Sequence, residues 1–398
     1  MKNFVFISPH FPDSYYHFIE ALKKNGFRVL GIGDAPYDEL NPSLKNALTE
    51  YYCCVDMENF DNEVRALTYF QDKYGHIDYL ESNNEFWLEK DALLRERFGI
   101  DTGIQGRDIE VYQHKSMMKA RYIKAGCPVA KFILVEDMEQ VKKFAKEVGY
   151  PIFIKPDQGV GAAGDFKIKD ENDLKDFFEK KWPDVTYICE QFITGEIISF
   201  DGVANSKSEV IFCTCNHFPP SISDVLNEHR DVFYYTDPFV KKDLETLGRK
   251  VVKTFEVKNR FFHLEFFRLT KDVPGVGKKG QITALETNMR PAGGYTPDLI
   301  NFANSVDCYQ IYADCMAFDE NRQDMKLEKF YAGCASRRDC YEYVHSVEDI
   351  KNTFRNSLCL SGRYPIVFSG TMGNSYFMAK FKTLEELHAF EEYVEAKK

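Results

Sequence analysis

Gln281-Ile282-Thr283-Ala284-Leu285-Glu286-Thr287-Asn288-Met289-Arg290 passes from an apolar run to polar side chains set two residues apart. The first half has the length and composition of a buried strand. Side chains alternate across a strand, so Glu286 and Asn288 leave its end on one side. Two oxygen ligands on a rigid strand can hold Mg²⁺, and the planar fork of Arg290, two residues on, can grip an anion. A solvated acidic strand end would read the same way. Glu265, in the strand-like run 261–269, supplies a second acid upstream and makes the metal reading the sharper of the two.

Upstream of these acids, Ile154-Lys155-Pro156-Asp157-Gln158-Gly159-Val160-Gly161-Ala162-Ala163-Gly164 sets a lysine at the end of an apolar run. Gly159, Gly161 and Gly164 would let backbone N–H groups approach an anion closely. Lys155 would put a point charge at the mouth of that loop, and Lys115 opens a helical stretch earlier in the chain. Between loop and acids lies Ile188-Cys189-Glu190-Gln191-Phe192-Ile193-Thr194-Gly195-Glu196. A strand leaving one lobe for another can offer Glu190 and the Gln191 and Ile193 backbone to a purine edge, with Glu196 near ribose hydroxyls. Each of these, taken singly, also fits an ordinary strand, loop or helix position.

The spacing predicts four units. Residues 1–112 alternate strand signals (4–7, 28–32, 51–55, 77–80) with helical ones (17–24, 62–74, 85–98), the pattern of a parallel, doubly wound, Rossmann-like sheet. Ser8-Pro9-His10 stands after the first strand instead of Gly-x-Gly-x-x-Gly, which argues against dinucleotide binding there. Residues 113–187 hold helices at 114–124 and 138–148 and strands at 129–135, 151–155 and 165–168. Residues 188–317 hold mostly antiparallel strand candidates around a helix at 240–255. Residues 318–398 form a small α+β region with strands near Tyr331 and Tyr376 and a helix at 384–396.

The 398 residues carry 62 acids against 51 bases, a net charge of −11, which argues against nucleic acid or an anionic membrane as a bulk partner. No apolar run approaches the ~18 to 20 residues that span a bilayer. The eleven cysteines include no Cys-x-x-Cys, and several sit in apolar runs where cysteine behaves as a small hydrophobe. A reducing cytoplasm is the expected location, and the start of the chain reads as a first strand.

Taken together, the order of these elements over roughly residues 1–320 resembles the ATP-grasp superfamily. Tyr150-Pro151-Ile152-Phe153-Ile154-Lys155-Pro156 looks like its second-lysine strand and Glu190-Gln191-Phe192-Ile193 with Gly195-Glu196 like its hinge. Phe262-His263-Leu264-Glu265-Phe266-Phe267 with Leu285 through Gly294 looks like its metal site. The resemblance implies an N-terminal parallel α/β sheet followed by α+β grasp lobes, small (113–187) and large (188–317). It implies that Lys115 and Lys155 contact ATP phosphates with the loop glycines, and that residues 190–193 and Glu196 bind adenosine. Glu265, Glu286 and Asn288 would hold two Mg²⁺, or Mn²⁺ in their place, and Arg290 would stabilise the transferred phosphoryl group. Ala162-Ala163 depart from the family by removing hydroxyls that could donate to phosphate.

Arg290-Pro291-Ala292-Gly293-Gly294 with a single grasp unit looks most like the carboxylate–amine ligases. These activate an acid as an acyl phosphate and pass it to an amine, releasing ADP and phosphate. The expected partners are a small carboxylate and an amine, amino acids among them, and the chain could pair as a homodimer. A biotin-carboxylase-like or purine-pathway-like acyl-phosphate enzyme and a non-catalytic ATP-binding regulator are the competing readings. His229, Arg230 and His263 are further candidates for substrate contact.

Overall fold

Short β-branched and aromatic runs joined by amphipathic helices build the first layer of the computed structural model, which describes residues 1–159, 164–219 and 230–398. Strands β1 (Asn3–Ile7), β2 (Arg28–Gly33), β3 (Glu50–Cys53) and β4 (Tyr79–Glu81) form a parallel sheet in the order β3-β2-β1-β4. All of β1 is buried, as expected of a strand covered on both faces. Helix Tyr16–Lys24 packs Phe18, Ile19 and Leu22 on one side, and helix Phe60–Tyr74 packs Ala66, Leu67 and Phe70 on the other. The helix expected from residue 85 begins at Leu88, so Glu85 lies in the loop after β4.

A four-stranded antiparallel sheet follows, from β5 (Phe132–Leu134), β6 (Ile152–Pro156), β7 (Phe166–Ile168) and β8 (Tyr187–Gln191), ordered β5-β8-β6-β7. Helices Met138–Val148 and Glu171–Lys180 cover it through Val141, Phe144, Leu174 and Phe177. The strand expected at 129–135 is shorter, because Val129 bridges instead to Ala284 of another sheet.

The third sheet has eight strands: β9 (Gly195–Ala204), β10 (Val210–His217), β11 (Phe233–Asp237), β12 (Arg260–Leu269), β13 (Ile282–Asn288), β14 (Tyr331–Arg337), β15 (Leu358–Arg363) and β16 (Ser375–Phe381). Their order is β13-β12-β9-β10-β11-β14-β16-β15. The strands of residues 318–398 are thus hydrogen-bonded into the sheet that carries Glu286, through β11 and β14. Two helices that periodicity did not reveal, Thr296–Asn304 and Cys308–Phe318, follow β13. The second is buried nearly all round, so it has no polar stripe to read.

Candidate active site

The site is built where β12 and β13 lie side by side. Glu265 stands opposite Glu286, and His263 opposite Asn288. Strand alternation turns both members of each strand's pair to one face. The Glu286 and Glu265 side chains keep 24% and 20% of their surface exposed, so a solvated ion can reach them. Burial alone would raise the Glu265 pKa. The hydrogen bond and charge of His263, with Arg290 and Lys155 nearby, overturn that and hold it below the usual carboxylate range.

Helix Lys115–Lys124 brings the first lysine to these acids. Asp157 ties its first turn to the glycine-rich loop: Oδ1 accepts from Ser116 N at 2.8 Å, Oδ2 from Ser116 Oγ at 2.9 Å, and the main-chain oxygen from Lys115 N at 2.8 Å. Lys115 Nζ then donates to Gly159 O at 2.9 Å and sits 3.4 Å from Glu286 Oε1. Gly159 and Gly164 have φ of +132° and +84°, where a side chain would be strained. Gly161 and His229 lie outside the described residues.

Lys155 is the last residue but one of β6, followed in the strand by Pro156, and is buried 3.5 Å from Glu190 Oε1. Lys119, one turn along the helix from Lys115, reaches the same oxygen at 3.2 Å. Burial pushes the Glu190 carboxyl up, but Lys119 and Lys155 together hold it below its usual range. A buried charge is tolerable when paired in this way, and removing one partner is costly. Glu190, expected at a purine edge, is therefore engaged through one oxygen by two lysines.

The remaining hinge residues take different environments. Gln191 is buried; its Nε2 donates to Pro274 O at 3.3 Å, while Oε1 has no hydrogen-bond partner. Phe192 is half-buried with Lys167 Nζ 4.3 Å from its ring centroid, and Ile193 packs against Ala130, Leu269 and Val273. Glu196 is exposed on β9, opposite Arg268 and apart from the acids of β12 and β13.

Arg290 donates from Nη1 to Pro291 O at 2.8 Å and from Nη2 to Asn288 Oδ1 at 3.4 Å, and its Nε lies 3.6 Å from Glu85 Oε2. Glu85, Glu286, Asn288, Gln158 and Gly159 all line one cavity of about 140 Å³. Burial raises the Glu85 pKa to about 7; Arg290 pulls against that shift, and Glu286 adds to it. The Arg230 carbonyl accepts from Arg338 Nε at 2.7 Å.

Three residues of this site went unnoticed in the sequence. Lys119 was detectable, since i and i+4 share a helix face with Lys115. Asp157 stood inside the glycine-rich stretch without its capping role being evident. Glu85 had no local signal, because its partner lies 205 residues away in sequence.

Among the described residues no three His, Cys, Asp or Glu side chains converge as a self-sufficient metal centre. Two carboxylates and an amide suit Mg²⁺ nonetheless, because that ion keeps waters and substrate phosphates as ligands rather than using an all-protein cage. Lys115 and Lys155, beside the positive-φ Gly159 and Gly164, have the charge and backbone freedom that an anion-binding side would need. The residues fit a nucleotide phosphate with Mg²⁺.

The family model of the ATP-grasp domain matches residues 120–299. An L-arginine-specific L-amino acid ligase of Bacillus subtilis is 26% identical over 232 residues, 56% of this chain and 53% of that protein. The aligned stretch therefore spans about half the length of that relative. An alanine–anticapsin ligase of Bacillus subtilis (strain 168) is 23% identical over 346 residues, 80% of this chain and 70% of the relative. In structure, the L-amino acid ligase from Bacillus licheniformis superposes with a TM-score of 0.72 at 15% identity, covering 98% of this chain and 96% of that one.

Proposed function

The chain carries an ATP-grasp domain, and from that premise we propose that it is an ATP-dependent ligase joining a small carboxylate to an amine. The observation that carries this reading is a cavity lined by Glu286, Asn288, Glu85 and Gly159, with Lys115 3.4 Å from Glu286, Glu265 opposite Glu286 on the next strand, and Arg290 reaching Asn288 and Glu85. Similarity to an L-arginine-specific L-amino acid ligase and to an alanine–anticapsin ligase supports an amino acid among the substrates.

The chemical problem is to bring a carboxylate to the γ-phosphate of ATP, two anions that repel. Lys115 and Lys155 bind phosphate oxygens, with the Gly159 and Gly164 turns letting backbone approach. Glu265, Glu286 and Asn288 would hold Mg²⁺, which supplies charge neutralisation at the phosphates. The substrate carboxylate oxygen attacks the γ-phosphorus and ADP leaves. Arg290 meets the developing charge on the transferred group with two N–H donors, as a preorganised contact. The amine nitrogen then attacks the acyl carbon, phosphate leaves, and the nitrogen loses a proton to give the amide. Alignment of the reactants can contribute on the order of 7–11 kcal/mol.

Screening ADP release over amino acids and small carboxylates, singly and in pairs, tests the proposal. Release that needs both an acid and an amine, with an amide product by mass spectrometry, is the expected result. Release dependent on bicarbonate would replace it with a carboxylase, and tight ATP binding without ADP production would leave a regulator.

A further inference from the structure

A row of polar side chains crosses the large sheet in register and ends at the candidate metal acids. Thr236 on β11 pairs with Asn216 on β10, Asn216 with Ser199 on β9, Ser199 with Glu265 on β12, and Glu265 with Glu286 on β13. Beside it runs a second row, Asp201–His263–Asn288. Thr236, Asn216, Ser199 and Asp201 are at most 2% exposed, and His263 is 4% exposed.

The two rows are stitched together. Thr236 Oγ1 donates to Asn216 Oδ1 at 2.6 Å, and Asn216 Nδ2 donates to Asp201 Oδ2 at 2.7 Å. Ser199 Oγ donates to the same Asp201 oxygen. Asp201 Oδ1 lies 2.5 Å from His263 Nδ1, and His263 Nε2 lies 3.0 Å from Glu265 Oε1. The imidazole is thus gripped at both nitrogens, and its edge also meets the Phe218 ring at 6.0 Å between centroids.

A buried polar network this long is expensive in desolvation, and an apolar strip of the same volume would hold the sheet together at least as well. What it supplies is directional restraint: each hydrogen bond fixes the next group, and the last fixed atom is Glu265 Oε1. We propose that His263, braced by Asp201, is a positioning residue that holds Glu265 Oε1 and leaves Oε2 to face a divalent cation. This inference rests on the reading of Glu265 as a metal-holding carboxylate. Partners that orient ligating groups are worth about 10- to 100-fold in metal affinity.

The test is Mn²⁺ binding by titration calorimetry, with a non-hydrolysable ATP analogue present, to the parent chain and to Glu265→Gln, His263→Gln and Asp201→Asn. Weakening by about 10- to 100-fold in His263→Gln and Asp201→Asn, with the Mn²⁺-free analogue affinity kept, is the expected outcome. Turnover in His263→Gln should then recover as Mg²⁺ is raised, a shift in metal requirement that a purely structural role would not produce. If Glu265→Gln weakens Mn²⁺ binding and both network variants bind within about twofold of the parent, the positioning role is overturned while the metal reading stands. If Glu265→Gln itself binds Mn²⁺ like the parent, the metal reading has failed and this inference with it. Should His263→Gln not fold, Asp201→Asn decides alone: parental Mn²⁺ affinity there overturns the proposal.

Discussion

Arg290 Nε lies 3.6 Å from Glu85 Oε2, joining the end of β13 to the loop after β4 and thus the large sheet to the parallel one. The contact gives Arg290 an acid partner, so a bracing role and a catalytic role are both physically available to it. They differ in what they demand of the side chain. A charge-only brace tolerates lysine, whereas contact with two oxygens of a phosphoryl or carboxylate group needs the guanidinium fork. Arg290→Lys is expected to fold and bind ATP yet lose about 100-fold or more in turnover. Near-parental amide formation would assign Arg290 to the brace.

Lys155 is buried against Glu190, so its removal disturbs the core as well as testing the proposed phosphate contact. Lys155→Ala should weaken ATP binding by roughly 1.5–3 kcal/mol, the range for a hydrogen bond to a charged group. Lys115→Ala should act similarly, with less effect on stability because Glu286 is partly exposed. Calorimetry that returned unchanged ATP affinity for both variants would remove the phosphate role.

Glu286→Gln preserves shape, removes one charge beside Lys115 and takes a carboxylate from the candidate metal site. The partly exposed ion pair is worth no more than about 1 kcal/mol, so melting should move by a few degrees at most. Turnover should fall far more than that shift accounts for. Parental ADP formation at every Mg²⁺ concentration would refute the metal assignment.

Glu63 has both carboxyl oxygens buried without hydrogen-bond partners. Burial first, then repulsion from Asp91, raises its pKa to about 8, with Lys90 pulling the other way. A raised folded pKa means that the native state holds the proton more tightly. The associated stability is complete below the unfolded value of 4.5 and is lost as pH rises through about 8. Glu63→Gln should therefore match the parent near pH 4 and gain on it between about pH 5 and 8, by at most ~1.4 kcal/mol per pH unit. Parallel denaturation curves at pH 5 and pH 8 would show the carboxyl to be solvated.

Gly248 sits inside helix Lys242–Thr254, where alanine ordinarily stabilises by about 1 kcal/mol. Here an added Cβ would overlap the Phe200 ring. Phe200 is fully buried in the sheet beneath, so the ring has little room to move. Overpacking of about 1–3 kcal/mol should outweigh the propensity gain, and Gly248→Ala should lower the melting temperature. A rise in melting temperature would mean that the helix can lift off the sheet at little cost.

The sequence by itself determined the features carried by local periodicity and by residues close together in the chain. Alternating βα signals in residues 1–112 correspond to the parallel sheet, and helix Met138–Val148 occurs as its spacing predicts. The 286–288–290 spacing was legible because a strand turns alternate residues to one side whatever surrounds it. Lys155 near the end of a strand before glycines, and Lys115 at the start of a helix, were legible from the local apolar run and helical spacing.

Tertiary structure alone decided which of these elements meet. No local signal states that Glu85 faces Arg290, that Lys119 and Lys155 share Glu190 Oε1, or that Asp201 braces His263 against Glu265. Nor does periodicity say that β14, β16 and β15 extend the sheet bearing the candidate metal acids, although each strand can be read on its own. Strand pairing and charge partnership are set by burial and register between distant segments. A residue's own neighbours in sequence specify its direction, but only the packed sheet specifies what stands in front of it.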